Sequence, residues 1–108
     1  MFLIVTKYLI PKGYRGLTVF PFVFLKHRID KENEVFVNHE RIHLRQQLEL
    51  LIIPFFIWYF LDFLLRLIQY GNVDLAYRNI SFEREAYANE KDLDYLNQRT
   101  FWRFLKYI

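Results

Sequence analysis

The residues best equipped for chemistry are His39, Glu40 and His43, in the run His39-Glu40-Arg41-Ile42-His43. This H-E-x-x-H pattern uses two of the three histidines in the chain. Residues four apart on an α-helix lie about 40° apart around the axis and about 6 Å along it, so both imidazoles can reach one tetrahedral ion. Glu40, adjacent to the first histidine, is placed to face a water on that ion and is the candidate general base. Zinc is the expected metal, because it lowers the pKa of a bound water to about 7 and polarises a carbonyl. The competing reading is a charged turn whose histidines face solvent.

Catalytic zinc sites commonly take three protein ligands and keep one position open, so a third ligand must be found. His27 reads as a loop histidine. The downstream segment Phe82-Glu83-Arg84-Glu85-Ala86-Tyr87-Ala88-Asn89-Glu90 offers three carboxylates on a helix that can return beside the first. Its wheel puts Phe82, Ala86, Asn89, Leu93 and Leu96 in the buried stripe, with Glu83, Glu85 and Glu90 all flanking it. Periodicity therefore leaves the third ligand open. A glutamate that is not the ligand is expected to be solvated or paired with Arg84 or Arg78. Gln46 and Gln47 read first as helix-surface residues, although Gln47 is one turn past His43. Tyr77 and Tyr87 read as packing residues that could also donate to an oxyanion.

The order and spacing of His39-Glu40-Arg41-Ile42-His43 and Glu83-Arg84-Glu85-Ala86 resemble the gluzincin metallopeptidases, particularly the minimal ones related to the M48 peptidases. The resemblance covers residues 35–90. It implies a third ligand in a helix of the form E-x-x-A-[DN]. Aligning Ala86 with that alanine makes Glu83 the ligand and puts Tyr87 where the family has Asp or Asn, a departure. Aligning Ala88 makes Glu85 the ligand and gives Asn89 the polar role. Glu83 is the favoured assignment. The resemblance also implies peptide-bond hydrolysis and an edge strand upstream of the motif helix that binds extended peptide, for which Leu17 to Lys26 is the candidate.

These residues need elements to hold them. The chain has 108 residues, 54% hydrophobic and 20% aromatic, which suits one small domain with a dense core and excludes a disordered chain. No cysteine is present, which excludes disulfides, thiol catalysis and cysteine zinc ribbons. A formal net charge of +3, evenly spread, does not suggest a nucleic-acid partner. Met1 to Ile10 and Leu17 to Lys26 are rich in Val, Ile, Phe, Tyr and Thr and suggest a small antiparallel sheet. Pro21 should put its strand at an edge or bulge.

The motif helix is expected to start between Glu34 and Asn38, with Asn38 a possible cap, and to end near Ile53 before Pro54. A second helix follows from about Phe55 to Tyr70, stopped by Gly71. Val73 to Asn79 reads as a loop, Ser81 as the cap of a third helix through about Arg99, and residues 100–108 as a last helical turn. The fold class is α+β and zincin-like, with the small antiparallel sheet followed by three main helices in a single domain over residues 1–108.

The apolar run Leu50 to Leu65 is expected to be buried between the first and third helices, with Asp62 and Arg66 paired at its edge. Its alternative is contact with a membrane. The N-terminal apolar stretch reads as a strand, not a signal peptide. The expected function is zinc-dependent hydrolysis of peptide bonds in an extended substrate. A catalytically silent zinc-binding or membrane-associated interaction protein on the same scaffold is the alternative. The expected location is cytoplasmic, with membrane association as the second option.

Overall fold

The computed structural model describes residues 1–108 and is α+β, with a three-stranded sheet at one end and helices over the rest. The strands are β1 (Phe2–Val5), β2 (Gly16–Val19) and β3 (Phe22–Leu25), in the order β1-β3-β2. The expected antiparallel sheet is mixed instead. β2 and β3 form an antiparallel hairpin, with Thr18 opposite Val23, whereas β1 runs parallel to β3, with Phe2 opposite Phe22. The reason lies in Pro21. It has no amide proton for a ladder, so the segment expected as one strand turns at Phe20-Pro21 and becomes two. β1 then takes the other edge of β3, and β2 remains an edge strand.

Five helices follow: α1 (Glu34–Leu50), α2 (Ile52–Tyr70), α3 (Val73–Arg78), α4 (Ser81–Asn89) and α5 (Tyr95–Gln98). Short 3-10 turns cover Arg28–Glu32 and Arg103–Tyr107. Asn33 caps α1 by accepting from the Phe36 amide, rather than Asn38. Asn38 instead donates to the carbonyls of Glu90 and Asp92 at 2.8 and 2.9 Å, satisfying groups just past the end of α4. The α1–α2 break falls at Leu51, ahead of Pro54. Leu51 has φ 64° and ψ 154°, and Pro54 lies in the first turn of α2, where a missing amide proton costs nothing. Gly71 closes α2 in the left-handed region, as its sequence position implies.

The expected loop over Val73 to Asn79 is helical, because Asn72 accepts from the Leu75 amide and starts α3. Ser81 is not a cap. Its amide and hydroxyl both donate to Asp62 Oδ2 at 2.7 Å, so a carboxylate from α2 caps α4 from outside. The third helix stops at Asn89 rather than Arg99, leaving Leu93 exposed instead of in the buried stripe.

Two apolar clusters hold the frame. Val23, Leu25 and Leu44 join the sheet to α1, with Leu3, Phe20 and Phe36 around them. Phe55, Ile80, Phe82 and Phe104 join α2, α4 and the last 3-10 turn. Asp62 and Arg66 pair as expected, 3.3 Å apart and both buried. The expected burial of Leu50 to Leu65 fails. Only Phe55, Asp62 and Arg66 of α2 are buried, and the opposite face is bare.

Candidate metal centre

α1 carries His39, Glu40 and His43 inward, and all three are buried. α4 packs across α1 and presents Glu83 to the two imidazoles. His39 Nε2 lies 3.0 Å and His43 Nε2 3.1 Å from Glu83 Oε1, and the two Nε2 atoms are 3.2 Å apart. Ligand atoms about 2.0 to 2.1 Å from a tetrahedral zinc would be about 3.3 Å from one another. The three atoms thus form one face of a tetrahedron of nearly the right size, and this cluster could hold a metal ion.

The protons give an independent test of fit. Gln46 Nε2 donates to the Phe82 carbonyl and to Glu85 Oε1, so its Oε1 faces His43 Nδ1 at 2.8 Å. Nδ1 must therefore carry the proton in neutral His43, and Nε2 offers a lone pair toward another lone pair on Glu83. A cation resolves that opposition. Without one, His43 holds a second proton: burial disfavours it, but the charge and hydrogen bond of Glu83 outweigh burial and push His43 up to about 9. Burial raises Glu83 in turn, but His43 and His39 outweigh it and hold the carboxyl well below its usual range.

Further groups stand behind the three side chains. Tyr59 of α2 donates to Glu83 Oε2 at 2.6 Å. Glu90 Oε2 lies 3.4 Å from His39 Nδ1, a buried nitrogen that makes no hydrogen bond, and Tyr87 sets its ring edge-on against the same imidazole. Glu85 is buried and takes no part in the cluster. It accepts from Arg99, Tyr95 and Gln46, and Arg99 also binds Glu49 at 2.6 Å. The expected partners of a non-ligand glutamate, Arg84 and Arg78, are not used, because Arg99 folds back after α4 ends early. Asn89 turns to the Glu85 carbonyl and the Tyr107 hydroxyl instead of the site. His27 is exposed, as a loop histidine should be.

Glu40 reaches β2. Its Oε2 accepts from the Thr18 hydroxyl of β2, and its Oε1 lies 3.2 Å from where a Cβ on Gly16 would be. Gly16 therefore leaves the space that the carboxylate fills. Gln47, expected on the helix surface, is buried: it donates to the Thr18 carbonyl and accepts from the Phe20 amide, both at 2.7 Å. Two neighbouring glutamines in one helix turn thus hold the edge strand and His43. Their amides can donate and accept at once, which was the only signal in the sequence. Glu40, His43 and Glu83 line one cleft of about 420 Å³ with Gly16, Thr18, Tyr59 and Tyr77, closed on the far side by Phe55, Phe56, Phe60 and Phe63. The hydrogen bond from the Lys26 amide to the Arg15 carbonyl sets the ladder phase, so Gly16 and Thr18 turn their amides away from β3.

No family model matches the chain, and comparison with curated proteins and with solved structures returns neither a relative nor a structural neighbour.

Proposed function

We propose that the chain is a zinc-dependent metallopeptidase of a zincin-like, gluzincin type, with His39, His43 and Glu83 as ligands and Glu40 as general base. The observation that carries this reading is the shared cleft: a base, two ligands and an edge strand line one opening. Bound zinc supplies Lewis acidity, polarising a carbonyl and acidifying a water near neutral pH.

The chain's own groups do the rest. An extended peptide adds to β2 at the outward amides of Gly16 and Thr18, ahead of the stretch that Gln47 holds through the Thr18 carbonyl and the Phe20 amide, and seats an apolar side chain against Phe56 and Phe60. Glu40, held by Thr18, takes the proton of the attacking water and returns it to the leaving amine. Tyr77 lines the same cleft, and its hydroxyl, raised by burial and by the nearby charge of Glu83, would turn from Tyr87 to donate to the oxyanion.

The test is zinc content together with cleavage of a quenched-fluorescent extended peptide rich in aromatic and aliphatic residues. Wild type should carry one zinc and cleave, and Glu40→Gln should keep the zinc and lose cleavage. Cleavage surviving in Glu40→Gln removes Glu40 as the base. Zinc bound without cleavage by wild type supports the silent zinc-binding scaffold instead.

A further inference from the structure

The least explained feature of the molecule is the outer face of α2. Ile53, Ile57, Phe60, Leu61, Leu64, Leu65 and Ile68 follow helical spacing on one side, and Ile57, Leu61 and Leu65 are each more than half exposed. The helix has 19 residues and contains an 18-residue stretch with a mean hydropathy of 1.6, yet only Phe55, Asp62 and Arg66 are buried. It is therefore not a core helix, and its position mid-chain is not that of a signal sequence. A continuous apolar face of this kind marks an interaction site.

We infer that the outer face of α2, with residues 101–108 beside it, docks in the plane of an anionic lipid bilayer. Where the charges of α2 lie is the first argument. Its two ionic residues, Asp62 and Arg66, are buried and paired with each other, and Asp62 accepts from Ser81, so the outer face exposes no unpaired charge. The second argument is orientation. The inner stripe of Phe55, Tyr59 and Asp62 is tied to Phe82, Glu83 and Ser81, so α2 cannot cross a membrane without taking polar contacts into the hydrocarbon. One bare face and one packed face fit a helix lying at the interface.

The third argument selects the occupant. Ile108 lines a groove with Ile57, Leu61 and Leu65, into which the edges of the paired Asp62 and Arg66 also reach, and this makes the last residues continuous with the α2 face. Residues 100–108 hold Arg103 and Lys106 and no acidic residue, beside exposed Phe101, Trp102 and Leu105. A second copy of the face offers these cations no counter-charge, whereas anionic headgroups do. Trp58, Trp102 and Tyr70, all partly exposed, suit the headgroup level. Docking would bring Phe60, which both lines the cleft and stands on the exposed face, to the lipid boundary. The substrate class would then be apolar segments lying at a membrane surface. That consequence rests on the peptidase reading; the docking does not.

The experiment is flotation of the full chain with vesicles of phosphatidylcholine mixed with phosphatidylglycerol, and with phosphatidylcholine alone. Wild type should float with the anionic vesicles and bind neutral ones about tenfold less. Leu61→Glu and Leu65→Glu should each lower partitioning about tenfold or more while retaining wild-type thermal unfolding, since both positions are exposed. Arg103→Glu with Lys106→Glu should erase the preference for anionic lipid. Glu40→Gln should float like wild type, which separates failure of docking from failure of the peptidase reading. Wild-type flotation by Leu61→Glu overturns the proposal. So does a dimer in sedimentation velocity that Leu61→Glu dissolves, without vesicle binding, because it gives the face to a second copy. Membrane-bound protein that resists alkaline carbonate means a spanning helix and overturns in-plane docking.

Discussion

Glu83 and Glu85 are both buried carboxylates on one helix turn, and the structure gives them opposite dependencies. Glu85→Gln removes a charge that accepts from Arg99, Tyr95 and Gln46 and turns one of its oxygens into a donor facing donors. Breaking a buried ion pair typically costs about 3 to 5 kcal/mol. Arg99 keeps Glu49, which favours the lower end, about 3 kcal/mol. Against a total stability of about 5 to 15 kcal/mol, that lowers the melting temperature by roughly 15 °C. Glu83→Gln removes no ion pair with arginine and leaves a hydroxyl partner in Tyr59, so the fold should survive, but the site loses its only anionic ligand. Zinc affinity should drop at least about a hundredfold.

The assay is thermal unfolding by circular dichroism on metal-free protein, paired with zinc titration at low temperature. Glu85→Gln should melt early yet bind zinc when folded. Glu83→Gln should bind zinc poorly, and it should melt below the metal-free wild type at neutral pH, where it breaks the pair with protonated His43, but near it above about pH 9, where His43 has lost that proton. If Glu85→Gln loses zinc with an unchanged melt, while Glu83→Gln keeps it, the ligand assignment and the account of Arg99 are both wrong.

Metal-free protein should be less heat-stable as pH rises from about 6.5 to about 9. His43 is raised when folded, so its contribution is full below its unfolded value and is lost through about 9, while that of Glu83 is lost only as pH falls below about 4.5. Added zinc should reverse the trend, because it binds deprotonated imidazole; parallel melts with and without zinc across this range decide it. Gly16→Ala places a Cβ 3.0 Å from Phe36 Cζ and 3.2 Å from Glu40 Oε1, so cleavage should fall about tenfold or more with zinc retained; unchanged kinetics would show that Glu40 is not held there. Leu51→Gly should raise the melting temperature, by relief of about 1 kcal/mol of backbone strain at an exposed side chain; a lower melting temperature would show that the Leu51 backbone is unstrained.

The sequence by itself determined the motif helix, because a four-residue spacing on a helix is local geometry, and it determined the stop at Gly71; it announced a break near Pro54, which the structure makes at Leu51 instead. It also narrowed the third ligand to three glutamates. The helical wheel could not choose among them because all three serve one neighbourhood: Glu83 faces the imidazoles, Glu90 stands behind His39, and Glu85 steadies Gln46 behind His43. Only the packing of α4 across α1 separates these roles. The capping of α4 by Asp62, the return of Arg99 onto Glu85 and the hold of Gln47 on β2 are contacts between residues 14 to 29 positions apart, beyond any local pattern. The apolar run of α2 reads identically as core or as surface, since hydropathy records what a side chain prefers and not what covers it. Tertiary structure decided that one stripe of α2 is packed and the other bare, because α4 and the last 3-10 turn are too short to cover both.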